Sequence, residues 1–266
     1  MTLEWLLIFA LLGTVVGFFA GLLGVGGGGI MVPALTSIFL VQGIPVDKVV
    51  HLALGTSMAC IVFTSIASMR AHQKNKAVLW HLVHKMALGV VVGTFAATFL
   101  AAYLNSSYLA IFFAAFMSYV AVNMFMKKSA EIQQQTLSTS NLVGSGFGIG
   151  AISALVSIGG GSLTVPYLSG RGINIKKAIG TSAAVGLPIS VAGTLGYLAN
   201  GWAVSYQQEW VFGFIYLPAV VIIAATSYFT APIGAKLAHS LPVATLKKVF
   251  AVVLVLLAIK MLLSVL

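Results

Sequence analysis

Charged residues fall in short clusters along this chain, and long uncharged stretches separate them. No Asp, Glu, Lys or Arg occurs in residues 5–46, 49–69, 86–126, 132–170, 178–208 or 210–235. A helix needs about 20 apolar residues to cross a bilayer once, so the longer stretches hold two crossings or fold back on themselves. The polar turn Asn105-Ser106-Ser107 divides the stretch 86–126. The pattern predicts helical crossings at 51–69, 84–103, 108–126, 178–199, 211–234 and 247–265. Stretches 5–44 and 139–169 differ in kind, because glycine runs interrupt them: Gly26-Gly27-Gly28-Gly29 in the first, Gly159-Gly160-Gly161 in the second.

Composition removes the soluble alternatives. Of 266 residues, 60% are hydrophobic and 7% charged, against ~45–50% and ~25% in soluble domains. Fourteen basic and four acidic side chains are too few to cover a soluble surface. The fold class is therefore an all-α polytopic membrane protein, with the lipid bilayer as its first partner. The net charge of +10 comes from a scarcity of acids and not from a dense basic patch, which argues against a nucleic-acid partner. Cys60 stands alone, so neither an intramolecular disulfide nor a cysteine-rich metal site is expected. Glu4 and Trp5 lead straight into apolar sequence without a basic segment, so no cleavable signal peptide is expected.

Basic residues sort to one set of loops. Arg70, Lys74, Lys76 and Lys85 flank one; Lys127 and Lys128 a second; Arg171, Lys176 and Lys177 a third; Lys236, Lys247 and Lys248 a fourth. Only Lys48 and Lys260 fall elsewhere, and Lys260 is expected to snorkel to the outer interface. The positive-inside rule makes those loops cytoplasmic, which puts Glu4, Asp47 and Glu209 outside together with both termini. Residues 139–169 must then leave and return on one face, as a hairpin broken at its glycines, and 5–44 is read the same way. Each half is one hairpin plus three crossings, residues 1–130 and 138–266. Three is odd, so the second half is inverted relative to the first.

An internal repeat supports this division. Residues 22–33, Leu-Leu-Gly-Val-Gly-Gly-Gly-Gly-Ile-Met-Val-Pro, align without a gap on residues 155–166, Leu-Val-Ser-Ile-Gly-Gly-Gly-Ser-Leu-Thr-Val-Pro. Further on, Gly55-Thr56-Ser57 matches Gly180-Thr181-Ser182. Broken backbone at membrane depth survives only where protein buries it or a cavity receives it, and paired breaks in two inverted halves point to a transporter's binding site. Helices starting near Ile30 and Leu163 would turn their N–H ends toward the breaks, and such ends suit anions. The candidate substrate-binding residues are Gly26, Gly27, Gly28, Gly29, Thr56, Ser57, Ser157, Gly159, Gly160, Gly161, Ser162, Thr181 and Ser182. The spaced glycines Gly13, Gly17 and Gly21, and Gly89 and Gly93, are read as helix-packing positions instead.

These paired motifs, a glycine run followed by Val-Pro and then Gly-Thr-Ser, resemble the TauE/SafE sulfite-exporter family, also called the sulfonate uptake permeases, over nearly the whole chain. The resemblance implies a bacterial or archaeal inner-membrane transporter for sulfite, organosulfonates such as sulfoacetate, or a related small sulfur compound. Ser157 stands where the first copy has Gly24, and Ser162 where it has Gly29, so the two half-sites are not identical.

The remaining chemistry is sparse. All four acids lie at predicted ends or loops, against carboxylate-built sodium sites and in favour of a neutral or positive site for a small anion. Pro33, Pro166, His51 and Arg171 are the candidates for gating or coupling; interfacial anchoring of His51 and a topological role for Arg171 are the competing readings. His72, His81, His84 and His239 are read as solvated residues of the basic loops. No nucleophile, acid–base pair, metal set or cofactor motif is evident, so an enzyme is not expected. A secondary transporter or facilitator working by alternating access is the first reading. An anion or small-solute channel, or a carrier of a different small sulfur compound, are the alternatives. A homo-oligomer stays open.

Overall fold

The computed structural model describes residues 2–24, 26–126, 138–204, 209–240, 242, 251–252, 255–256 and 258–263. Its elements are α1 (Leu3–Leu23), α2 (Gly28–Val41), α3 (Val46–Lys74), α4 (Trp80–Tyr103), α5 (Ser106–Met126), α6 (Thr139–Val156), α7 (Gly161–Ser169), α8 (Ile175–Gly201), β1 (Val211–Phe212), β2 (Ile215–Tyr216) and α9 (Leu217–Ser240). The described residues of 251–263 are helical as well. Among the described residues, seven helices, α1, α3, α4, α5, α6, α8 and α9, are long and apolar enough to cross a membrane. The protein is an all-α, multi-pass membrane protein.

The two glycine runs end helices as expected. α1 stops at Gly24, whose φ of 66° is left-handed and whose N–H donates to Ala20 O at 2.9 Å. α6 stops in the same conformation at Ser157, with φ 46°. α2 and α7 start after Gly27 and Gly160, at φ 81° and 78°. At 1.5 Å per residue, the 14 residues of α2 and the nine of α7 reach about 21 Å and about 13 Å, short of the roughly 30 Å hydrocarbon core. Neither is long enough to cross the hydrocarbon core by itself.

Two expectations need correction. The stretch 211–234 is not helical from its start: residues 211–216 form a two-stranded antiparallel hairpin, and α9 begins at Leu217. Trp210 and Gly213, at φ 68° and 57°, shape that turn, and hydropathy cannot separate it from the helix because both are uncharged and apolar. His72 is not solvated either. It lies in the last turn of α3, fully buried, against His239 of α9.

Small residues set the packing. α1 lies along α9, α4 along α6, and α3 crosses α8, with α9 also on α3 and α4 on α8. A methyl on Gly21 would run into the Ala231 carbonyl, and one on Gly93 into that of Phe147, so backbones touch directly at these crossings. Without water between lipid-facing helices, close van der Waals contact is what holds such pairs. When the repeats are matched, α1 corresponds to α6 and α4 to α9, so the contacts α1–α9 and α4–α6 exchange with one another.

Candidate functional site

The Gly-Thr-Ser motifs sit on the two central helices α3 and α8, each beside a buried extended strap. Thr56 Oγ1 accepts the Tyr216 N–H at 2.9 Å, and Thr181 Oγ1 accepts the Leu79 N–H at 3.0 Å. Tyr216 and Leu79 each immediately precede a helix, α9 and α4. A methyl on Gly180 would stand 2.7 Å from the Ala77 carbonyl oxygen, and one on Gly55 would collide with that of Phe214. Glycine thus makes room for the strap's carbonyl, and threonine satisfies its N–H where no water reaches. The third residue diverges: Ser182 Oγ donates to Gly24 O at 2.9 Å, closing the first break, whereas Ser57 Oγ has no partner among the described residues.

The breaks meet each other. A methyl on Gly26 would lie 3.0 Å from Gly159 Cα, and one on Gly28 would strike the Ser157 carbonyl. Ser157 holds its left-handed backbone by donating from Oγ to Leu54 O of α3 at 3.1 Å. Pro33 and Pro166 lie inside α2 and α7 and not at the breaks. Lacking N–H, they cannot bond the carbonyls four residues back, on Gly29 and Ser162. At α7, Leu163 and Thr164 N–H bond Gly160 O, and no partner is present among the described residues for the N–H groups of Gly161 and Ser162.

Beyond the backbone, several buried hydroxyls pair with nothing among the described residues, among them Ser153 of α6, Ser162 and Thr164 of α7, and Thr94 of α4. Thr164 Oγ1 is 3.3 Å from where a Gly160 Cβ would be, and Thr94 Oγ1 is 2.8 Å from a Cβ on Gly150. The matched positions in the other half are Ala20, Gly29, Met31 and, counting from the two straps, Ala231. None of these four hydroxyls has a hydroxyl at its matched position in the other half. Sequence reasoning selected Ser57, Ser157 and Ser162 but passed over Ser153, Thr94 and Thr164. For Ser153 and Thr164 the signal was a hydroxyl replacing an apolar residue in an otherwise matched repeat.

The four gating or coupling candidates occupy different places. His51 Nε2 lies 3.0 Å from Ala101 O and 2.9 Å from Leu104 O, and its ring packs on Phe214, so it ties α3 to the end of α4 and to a strap. Arg171 bonds Tyr167 O at 3.1 Å and stacks on the Tyr167 ring at 3.8 Å, beyond α7. Neither touches a break. Among the described residues no three His, Cys, Asp or Glu side chains come together as metal ligands. A cavity of about 630 Å³ lies at the acid-bearing end, lined by Trp5, Val41, Gln42, Glu209, Trp210, Tyr216 and Pro218. Tyr216 connects it to the motif, because it lines the cavity and its N–H is bonded to Thr56.

Known proteins place this architecture. The chain is 38% identical to a probable membrane transporter protein of Haemophilus influenzae, covering 98% of this chain and 99% of that one. It is 30% identical to a probable membrane transporter protein of Methanocaldococcus jannaschii, over 88% of each chain. The probable membrane transporter protein YdhB of Bacillus subtilis is 30% identical over 74% of this chain and 79% of its own. No solved structure matches it. Residues 9–261 match the family described as sulfite exporter TauE/SafE, and with two broken helical hairpins meeting inside a helical membrane fold, the chain belongs to that family of membrane transporters.

Proposed function

We propose that this protein is a secondary transporter or facilitator that moves small sulfur-containing anions, sulfite or organosulfonates, across the inner membrane of its cell by alternating access at the two breaks. The reading takes the halves as inverted repeats, the basic loops as cytoplasmic and the acid-bearing cavity as the outer vestibule. The observation that carries it is the junction of Gly26 with Gly159, beside the N-terminus of α7 and hydroxyls without partners. A helix N-terminus presents roughly half a positive charge and free N–H donors, and hydroxyls add donors without adding charge. Together they suit an oxyanion that must be released again; a fixed cation would bind it more tightly.

The test is uptake of labelled sulfoacetate into proteoliposomes, with sulfite as competitor. The expected result is saturable flux, reduced about tenfold by Ser162→Ala or Thr164→Val, as loss of one or two hydrogen bonds to a charged ligand implies. Wild-type flux in both variants would remove these hydroxyls from the site. Absence of any flux that sulfite inhibits would remove the cargo.

A further inference from the structure

His72 and His239 form a buried pair outside the site. His72 Nε2 lies 2.9 Å from Gly21 O in the last turn of α1, and its Nδ1 lies 3.2 Å from His239 Nε2. A carbonyl only accepts, so Nε2 of His72 carries the hydrogen. In the neutral ring Nδ1 is then an acceptor, and His239 Nε2–H donates to it. His239 is half-buried, at the end of α9, while His72 is fully buried. Gly21 is three residues from Gly24, and the neighbouring Ser68 hydroxyl of α3 reaches Ala20 O at 3.4 Å.

The matched half shows what this contact needs structurally. Tyr197 of α8 aligns with His72 and Ala154 with Gly21, and Tyr197 OH donates to Ala154 O at 2.8 Å. A strut from the central helix to the broken helix's last turn is thus met by a hydroxyl, and Ala102 stands where His239 would be. The imidazole pair adds one property to the strut, an exchangeable proton. We propose that His72 and His239 are a proton-binding couple that links one proton per transport cycle to the first hairpin. A proton arriving on His239 Nδ1 lets that ring pass its Nε2 proton to His72 Nδ1. His72 becomes imidazolium, still bonded to Gly21 O, and His239 is left neutral with its hydrogen on Nδ1. A second proton would put hydrogens on both facing nitrogens and part the rings.

The groups around the couple are cations. Lys176 of α8 bonds His239 O at 2.8 Å, and Arg70 of α3 bonds Tyr228 OH of α9 at 2.9 Å. Lys74 of α3, Lys177 of α8 and Lys236 of α9 share this end, and the last turn of α1 has no basic residue. Glu4 and Asp47 are in the first turns of α1 and α3, and Glu209 precedes the strap at the opposite face; Glu131 lies outside the described residues. With no described acid beside the couple, the proton is held only while another negative charge is near. Resting on the anion reading above, that charge is the cargo between the hairpins, so proton and anion each raise the other's affinity by the same factor.

Two arms test this. The full-length protein in lipid nanodiscs, labelled with ¹⁵N-histidine, is titrated from about pH 4 to about pH 9, across the range of ordinary histidines. A single shared step for both rings, lost from His72 in His239→Gln, supports the couple; two independent steps overturn it. In proteoliposomes held at zero potential, one proton per sulfoacetate across a gradient of about one pH unit gives about tenfold accumulation. His72→Gln and His239→Gln, which keep a donor at Nε2, are expected to equilibrate sulfoacetate without accumulating it. Accumulation retained in both overturns the coupling, and if His72→Gln does not fold, the half-buried His239→Gln decides alone. A shared step with no sulfoacetate flux even in wild type supports the proton site and overturns the cargo assignment.

Discussion

Hydroxyls in this protein divide by whether they hold backbone. Thr56, Thr181 and Ser182 each satisfy a buried backbone group, while Ser57, Ser153, Ser162 and Thr164 satisfy none among the described residues. Removing the first kind orphans an N–H or C=O, at about 1–3 kcal/mol; removing the second orphans nothing. Thr56→Val and Ser182→Ala are therefore expected to lower the melting temperature in detergent, and Ser162→Ala to leave it unchanged or raised. Equal melting temperatures across all three would contradict the assignment. Residue type alone could not make this division, since both kinds are Ser or Thr within uncharged stretches of the sequence. Ser57 and Ser182 hold equivalent positions in the repeat and still fall on opposite sides of it.

Helices pair through their glycines, and α6 carries two glycine rows with different surroundings. Gly146 and Gly150 abut the backbone of α4, whereas Gly144 and Gly148 have no atoms within 4 Å of where a Cβ would be. Alanine at 144 or 148 is expected to be neutral or to stabilise by up to about 1 kcal/mol, the helix propensity gained. Leucine at 150 is expected to separate α6 from α4 and give aggregated protein. Size-exclusion profiles and thermal melts of the three variants check this, and a folded Gly150→Leu would be the contrary result. The sequence showed that spaced glycines mean packing, as at Gly13, Gly17 and Gly21. It could not show which row of α6 is covered, because both have the same spacing.

The whole molecule has a polarity that charge predicts. Asn75 follows the basic end of α3, and Trp202 follows α8 at the acid-bearing end; both are exposed. In a Cys60→Ala background, Trp202→Cys is expected to react with a membrane-impermeant maleimide in intact cells. Asn75→Cys should react only after the cells are opened. The reverse pattern would invert the molecule and turn the acid-bearing cavity toward the cytoplasm.

Membrane residence and the two breaks follow from the order of residues, because hydrocarbon penalises every charge and every unpaired backbone group locally. α2 and α7 begin within two residues of Ile30 and Leu163 for that reason. The straps, the meeting of Gly26 with Gly159 and the burial of His72 against His239 were decided by tertiary packing. Each joins residues from different helices, and the satisfaction of Leu79 N–H by Thr181, or of Gly21 O by His72, depends on a neighbour that local sequence does not contain. His72 lies between Arg70 and Lys74 and so reads as solvated; only the packing of α3 against α1 and α9 takes it out of water.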